Sequence, residues 1–145
     1  MTHLRDVIEH KGDDVLTAGP EEPVIHAAVR MNEHRVGCLL VVNEGQPVGM
    51  ISERDVLRRV VAERRDPAET KVDEVMTREL VCARSQTSLE EARSVMKHRR
   101  IRHLPVVDED GKLKGLVSIG DLNAWQLNGQ EETIHLLNEY IHGYR

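Results

Sequence analysis

Aromatic residues are almost absent from this chain of 145 residues. They make up 2% of it, with one tryptophan, two tyrosines and no phenylalanine. Proteins that bind single-stranded nucleic acid stack bases on aromatic side chains, and proteins that bind duplex DNA usually carry a basic surface. Here acidic residues outnumber basic ones by 25 to 20, and the formal net charge is −5. The composition therefore argues against a nucleic-acid-binding protein.

The sequence also lacks a hydrophobic run long enough to span a membrane, and its first residues lack the apolar core of a signal peptide. We therefore expect a cytoplasmic protein without a membrane partner. The segment 131–141 has an apolar face that would suit a membrane or a protein. Because its opposite face is not basic, packing against this chain or a second subunit is favoured.

Cysteine is scarce as well. Cys38 and Cys82 have no spacing typical of a zinc knuckle or a redox dithiol, and both lie among apolar residues. We expect them to be small buried side chains. The eight histidines show no tight spacing with Asp, Glu or Cys, so no metal site is predicted.

What the chain does contain is a repeated motif. The sequence GMISERD at residues 49–55 returns as GLVSIGD at residues 115–121. Each copy is an apolar run with a β-branched residue that ends in serine and, three residues later, aspartate. This pattern is typical of a buried strand that turns into a helix. The repetition predicts two related units, each with its own site.

The order of predicted elements is the same in both halves. Helices are expected at 2–11, 24–34, 55–63, 88–98, 121–127 and 131–141, and strands at 15–17, 39–42, 48–51, 80–83, 104–107 and 115–118. Each half reads β-α-β-β-α, with Val56, Leu57, Val60 and Val61 on the apolar side of the helix at 55–63.

This order predicts an α/β (α+β) fold of two pseudo-symmetric repeats packed through their sheets, with an added C-terminal helix. The expected divisions are 1–66, 67–128 and 129–145. Two equivalent halves would create two equivalent clefts between them, and ligand sites favour such places.

The end of each motif carries groups that suit a sugar phosphate. Asp55 and Asp121 can accept hydrogen bonds from ribose hydroxyls, while Ser52, Ser118 and the free amides of a helix start can donate to phosphate. The same residues also suit plain helix capping, which stabilises a helix by about 1 kcal/mol without any ligand. The two roles are compatible, and both stay open from the sequence.

Several features together resemble a tandem pair of CBS domains, also called a Bateman module. They are the two motifs, the order of elements and the sequence IRHLPVVD at 101–108, and the resemblance covers about residues 8–127. It implies a regulatory module that binds an adenine nucleotide such as AMP, ADP or ATP, or else NADH or S-adenosylmethionine. It also implies a homodimer and an effector protein that the sequence does not identify.

The resemblance assigns ribose to Asp121 in one cleft and to Asp55 in the other. Near Asp121 it places Ser118, Gly120, Leu16, Val36 and Gly37, with Arg102 and His103 as phosphate contacts. Near Asp55 it places Ser52, Arg54, Val81, Ile101, Arg102 and Thr77, beside Met76.

The counterpart of Arg102-His103 in the first repeat is the uncharged pair Gly37-Cys38. The Asp55 cleft must then depend on Arg54 or Arg58 for phosphate. A charge-assisted hydrogen bond contributes about 1.5–3 kcal/mol. The Asp121 cleft is therefore expected to bind more tightly.

Two other classes of function, an enzyme and a scaffold, compete with a nucleotide sensor. An enzyme is not indicated, because the sequence has no nucleophile with an adjoining base, no paired carboxylates in one motif and no phosphate-binding glycine loop ending in Lys-Ser/Thr. A scaffold that has lost one or both nucleotide sites is the alternative. Corners filled by the protein's own side chains, without room for a nucleoside, would contradict the nucleotide-sensor hypothesis.

Overall fold

The computed structural model describes residues 2–12 and 14–128, so the helix expected at 131–141 lies outside the described part. The helices are α1 (Leu4–Lys11), α2 (Val24–His34), α3 (Glu53–Val56), α4 (Val72–Val75), α5 (Leu89–Arg99) and α6 (Ile119–Asn128). The strands are β1 (Thr17–Ala18), β2 (Cys38–Asn43), β3 (Gln46–Ser52), β4 (Ala83–Arg84), β5 (His103–Val107) and β6 (Leu113–Ser118). The predicted mixed fold with two β-α-β-β-α repeats is confirmed.

Each repeat contributes one three-stranded sheet, ordered β1-β2-β3 in the first and β4-β5-β6 in the second. The first strand of each sheet runs parallel to its neighbour, and β2 pairs antiparallel with β3. The β2–β3 hairpin turns at Glu44 and Gly45, with φ of 52° and 80°. Positive φ at both central residues matches the twist of the flanking strands. Strands β2 and β3 therefore hold the first motif in register.

The chain forms two compact units that are not continuous in sequence. Residues 14–81 and 109–113 form what we call the first-repeat unit, and residues 2–12, 82–108 and 114–128 form the second-repeat unit. Helix α1 thus belongs to the unit of the second repeat, and α4 to the unit of the first. The core of the first-repeat unit contains Ala18, Val24, Ala27, Met31, Leu39, Val41, Ile51, Val60, Val72, Val75 and Met76.

Helices α1 and α4 occupy equivalent positions in their two units. Ile8, on α1, lies against Gly115, where a Cβ would be 3.0 Å from its Cδ1. Met76, directly after α4, lies against Gly49, where a Cβ would be 2.7 Å from its Sδ. The first glycine of each motif therefore leaves room for the side chain that packs against it, Ile8 at Gly115 and Met76 at Gly49. Helix α4 was not predicted, because its four residues are too few for a periodic pattern.

Helix α3 continues into a π-helical turn at Leu57–Val61, closed by a 2.9 Å hydrogen bond from the amide of Ala62 to the carbonyl of Leu57. Val60 is buried, but Leu57 and Val61 are 60% and 61% exposed. The prediction that these two residues face the core is wrong. Val56 and Val60 face the core instead. Leu57 and Val61 each follow one of them directly, and successive residues of a helix point about 100° apart.

Cys38 is half-buried in β2, whereas Cys82 is exposed, so the expectation of burial is wrong for Cys82. Burial raises the pKa of both thiols, and the charge of Glu53 adds to this effect at Cys38. Both side chains are therefore mainly thiols at neutral pH. Among residues 2–12 and 14–128, no helix is both long and apolar enough to span a membrane.

Candidate functional site: two capped aspartate corners

The Asp55 corner, which we define as residues Ser52–Asp55, is a strand end that caps its own helix. Ser52 has extended backbone angles, φ −120° and ψ 166°, and is the N-cap of α3. The amide of Asp55 donates to Ser52 Oγ at 3.2 Å, and the amide of Ser52 donates to Asp55 Oδ2 at 2.9 Å. This reciprocal pair is a capping box. It fixes the carboxylate, and Asp55 is only 8% exposed.

The other carboxylate oxygen of Asp55 faces the chain that follows α4. Thr77 Oγ1 donates to Asp55 Oδ1 at 3.1 Å. Arg59 Nη1 lies 4.0 Å from the same oxygen and donates to the carbonyls of Val75 and Met76 at 3.0 and 3.1 Å. The corner therefore combines a carboxylate, a hydroxyl and a guanidinium within one unit.

Thr77 belongs to the predicted site, whereas Arg59 does not. Sequence reasoning considered Arg54 and Arg58 as the basic residues of this corner, and both are exposed. Arg59 follows Asp55 by four residues, which puts the two on the same helix face. That spacing is the signal by which Arg59 could have been found.

An open hollow of about 810 Å³ lies beside Thr77 on the first-repeat unit. Small-molecule pockets usually measure about 300–1,000 Å³. The hollow is polar and carries charges of both signs: Arg65 Nη2 pairs with Glu74 Oε1 at 2.5 Å, and Arg78 Nη2 donates to the carbonyl of Asp73 at 2.8 Å. Its lining consists of Arg59, Arg65, Asp73, Glu74, Met76, Thr77, Arg78 and Glu79.

The Asp121 corner, residues Ser118–Asp121, repeats the capping box at the start of α6. The amide of Ser118 donates to Asp121 Oδ2 at 2.8 Å, and the amide of Asp121 donates to Ser118 Oγ at 3.0 Å. Lys11 differs from anything at the first corner. Its Nζ donates to Asp121 Oδ2 at 2.6 Å and to the carbonyl of Leu116 at 2.8 Å.

The pairing with Lys11 determines the charge of Asp121. Burial raises the pKa of this carboxyl, but the hydrogen bonds from Lys11 and from Ser118, together with the charge of Lys11, lower it more. The net result is a pKa below the ordinary value of 3.8. At neutral pH the corner therefore holds an ionised carboxylate with an ammonium group on it, and the Asp121 side chain is only 10% exposed.

Lys11 was missed by sequence reasoning, because it lies far from Asp121 in the chain. Since Ile8 and Met76 are equivalent, Lys11 matches Glu79 of the other segment, a residue of opposite charge. Comparison of the two repeats therefore does not predict the contact between Lys11 and Asp121. The partners of the two aspartates, Thr77 and Lys11, come from segments that precede the opposite repeat.

The remaining predicted residues divide between the two units. Gly37, next to Val36, accepts a 2.9 Å hydrogen bond at its carbonyl from the amide of Glu53. The carbonyl of Arg102 accepts one of 3.0 Å from the amide of Ile119. Each helix after the motif is thus tied to the chain before β2 or β5.

Within the first-repeat unit, Asp55 shares its fold with Leu16, Val36, Gly37 and Val81. Within the second, Asp121 shares its fold with Gly120, Ile101, Arg102 and His103. The assignment of Leu16, Val36 and Gly37 to Asp121, and of Ile101 and Arg102 to Asp55, joins residues of different units and stays a prediction. Among the residues described, no group of three or more His, Cys, Asp or Glu could hold a metal ion.

Comparison with known proteins identifies the fold. The family model of the CBS domain matches the chain twice, at residues 4–62 and 72–128. The chain belongs to the CBS-domain family. The CBS domain-containing protein YhcV of Bacillus subtilis is 39% identical over 138 residues, which cover 95% of each chain. A structure of a CBS-domain protein from Burkholderia ambifaria is 34% identical with a TM-score of 0.77, covering 90% of this chain and 97% of that one.

Two more distant CBS-pair structures contain adenosine compounds. The Pyrobaculum aerophilum protein PAE2072, in complex with AMP, is 24% identical with a TM-score of 0.70, covering 96% of this chain and 99% of that one. The CBS domain pair of protein MJ0100, in complex with 5′-methylthioadenosine and S-adenosyl-L-methionine, is 24% identical with a TM-score of 0.71, covering 86% and 99%. At this identity, the similarity establishes the shared fold alone.

Proposed function

We propose that the protein is a non-catalytic regulatory module that binds an adenosine-containing ligand at its aspartate corners. The observation that carries this proposal is the Asp55 corner. Its carboxylate is fixed by a capping box, touches the hydroxyl of Thr77, and lies next to a hollow of about 810 Å³. A fixed carboxylate accepts hydrogen bonds from the two hydroxyls of a ribose, and arginines beside it bind phosphate.

AMP, ADP and ATP are the proposed ligands, with NADH and S-adenosylmethionine as further members of the class. The distant relatives with AMP, 5′-methylthioadenosine and S-adenosyl-L-methionine support adenosine as the shared part. Arg59 supports a phosphorylated ligand, because its guanidinium lies 4.0 Å from Asp55 and lines the hollow. Binding would favour one conformational state, which an effector protein could read.

A thermal-unfolding panel tests the proposal. AMP, ADP, ATP, NADH and S-adenosylmethionine are compared with GMP and GTP on the wild-type chain and on Asp55→Asn. A ligand at 100 times its dissociation constant adds about 2.7 kcal/mol to the free energy of unfolding. We expect a rise in Tm with adenosine ligands that shrinks in Asp55→Asn. The exposed Asp14→Asn is the matched control and should respond like wild type.

The scaffold alternative is favoured by one observation, the occupation of Asp121 by Lys11. A site that no longer binds nucleotide could have its ribose acceptor, here Asp121, paired with a lysine of the same chain. If no member of the adenosine panel changes Tm, the scaffold becomes the better account. If the panel acts on both wild type and Asp55→Asn alike, binding lies elsewhere than the Asp55 corner.

A homodimer is part of the proposal, and an exposed apolar face supports it. The exposed fractions lie between 38% and 61% for Leu57 and Val61, in the π-helical turn after α3, and for Ile25 and Val29 on α2. Large exposed apolar groups on adjacent helices are typical of interfaces. The corresponding positions in the second repeat are Glu90, Ser94, Asn123 and Leu127, of which three are polar. A second copy of this chain, with the same apolar face, is the occupant that we propose.

A further inference from the structure

Lys11 is placed where the proposed ribose should bind. Its ammonium lies 2.6 Å from Asp121 Oδ2, and a second hydrogen bond of 2.8 Å to the carbonyl of Leu116 holds it there. The lysine side chain is 33% exposed, and that of Asp121 10% exposed. The contact is therefore partly shielded from solvent, which makes it stronger than an ordinary surface ion pair.

The aspartate of the first corner has a contact of a different character. There the segment after α4 provides a neutral hydroxyl, Thr77 Oγ1, 3.1 Å from Asp55. A ribose hydroxyl can replace another hydroxyl without separating charges. To reach Asp121, however, it must displace or weaken a hydrogen-bonded ammonium group. The two corners have the same backbone conformation, but the free energy needed to place a ribose on the aspartate is higher at Asp121 than at Asp55.

Lys11 is also the last residue of α1, directly before Gly12, whose φ is +99°. The position of its side chain depends on the packing of α1, which is fixed by the contact of Ile8 with Gly115 and by a 2.9 Å hydrogen bond from the amide of Leu4 to the carbonyl of Thr87. Helix α1 and the Asp121 corner are thus mechanically connected through one side chain.

We propose that Lys11 is a built-in competitor that keeps the Asp121 corner closed to ribose, so that the wild-type chain binds its adenosine ligand first at the Asp55 corner. This inference depends on the proposed adenosine-binding function and reverses the order of affinity expected from sequence. Release of Lys11 opens the second site. Any event that moves the end of α1 would therefore change the number of ligands that the chain binds.

Calorimetric titration with adenosine tests the inference, because adenosine has no phosphate that Lys11 could bind. The titrated proteins are wild type, Lys11→Met, Asp55→Asn and the double variant. The Asp55→Asn background isolates the Asp121 corner. We expect Lys11→Met to raise the affinity of that corner about tenfold in this background, equivalent to about 1.4 kcal/mol. Lys11→Arg, which keeps the charge, should leave the corner closed.

Lys97→Met is the control, since Lys97 is an exposed lysine of the same unit and its loss changes the net charge equally. Adenosine binding by Lys11→Met/Asp55→Asn that is unchanged or weaker than binding by Asp55→Asn, while wild type binds, overturns the role of Lys11 and leaves the proposed function intact. If no folded variant binds adenosine, AMP or ATP, the proposed function itself fails, and the inference with it. A purely structural role predicts lower stability without tighter binding.

Discussion

Asp55 and Asp121 show how one backbone motif acquires two electrostatic settings. Each aspartate is the third residue of its helix, and a serine is the residue directly before that helix. Each carboxylate accepts a hydrogen bond from the amide of that serine. The additional hydrogen bond to each carboxylate differs: Asp55 accepts one from the hydroxyl of Thr77, and Asp121 accepts one from the ammonium group of Lys11. At the scale of single residues, capping and ligand binding are compatible, because the amide of the serine donates to Oδ2 of each carboxylate and leaves Oδ1 for another donor.

Acid titration should reveal the Lys11–Asp121 pair. The pKa of Asp121 is lowered in the folded chain, so its contribution to stability is present above the ordinary value of 3.8 and is lost as the pH falls through the folded pKa. We expect Lys11→Met to reduce the free energy of unfolding by about 1–3 kcal/mol at pH 7. Urea unfolding at several pH values should show this difference shrinking below the ordinary pKa. A difference that is constant with pH would contradict the pair.

At the scale of elements, the first glycine of each motif sets how closely a neighbouring segment can approach, α1 at Gly115 and the residues directly after α4 at Gly49. At Gly49, an added Cβ would lie 2.7 Å from Met76 Sδ and 2.8 Å from the carbonyl oxygen of Thr77. At Gly115 the nearest atoms are on the Ile8 side chain, at 3.0–3.2 Å. Backbone cannot move aside as easily as a side chain.

The two glycine-to-alanine variants form a matched pair. We expect Gly49→Ala to lower the free energy of unfolding by about 1–3 kcal/mol, as overpacking does. Gly115→Ala should cost less, because Ile8 can change its rotamer. Thermal or urea unfolding measures both. Equal losses, or a larger loss for Gly115→Ala, would mean that the close approach at Gly49 does not limit packing.

The elements that sequence predicted best are those with a full local signal. Helix α2 begins and ends where its apolar spacing predicts, and α5 begins at the capping box of Ser88 and Glu91. The strands β1 and β4 are displaced by one to three residues from their expected ranges, because each pairs at only two positions with its neighbour. Short elements are defined by tertiary contacts, which a local pattern does not contain.

The candidate site follows the same rule. Ser52, Asp55, Ser118 and Asp121 were found from a local motif, and the capping geometry confirms that each pair begins a helix. Lys11 was not found, since it reaches Asp121 only through the packing of α1 on the second repeat. Charge at a site can therefore be supplied from parts of the chain that carry no motif.

At the scale of the whole molecule, the distribution of exposed apolar residues predicts how copies associate. Leu57→Glu or Val61→Glu should weaken the proposed homodimer, since either change puts a charge into an apolar contact. Sedimentation velocity over a concentration series measures the association. The control is Asn123→Glu, at the position equivalent to Leu57 on the other repeat, where Arg93 can still pair with the new carboxylate. Dimers that survive in both apolar-face variants would place the interface elsewhere.

The central claim is that capped aspartates bind the ribose of an adenosine ligand. Isothermal titration of AMP and ATP, with GMP and GTP in parallel, into wild type and the double variant Asp55→Asn/Asp121→Asn tests it most directly. We predict measurable adenosine-selective binding to wild type and at least a tenfold weaker affinity in the folded double variant, about 1.4 kcal/mol or more. Equal affinities in the two proteins, or no binding to wild type, would contradict it.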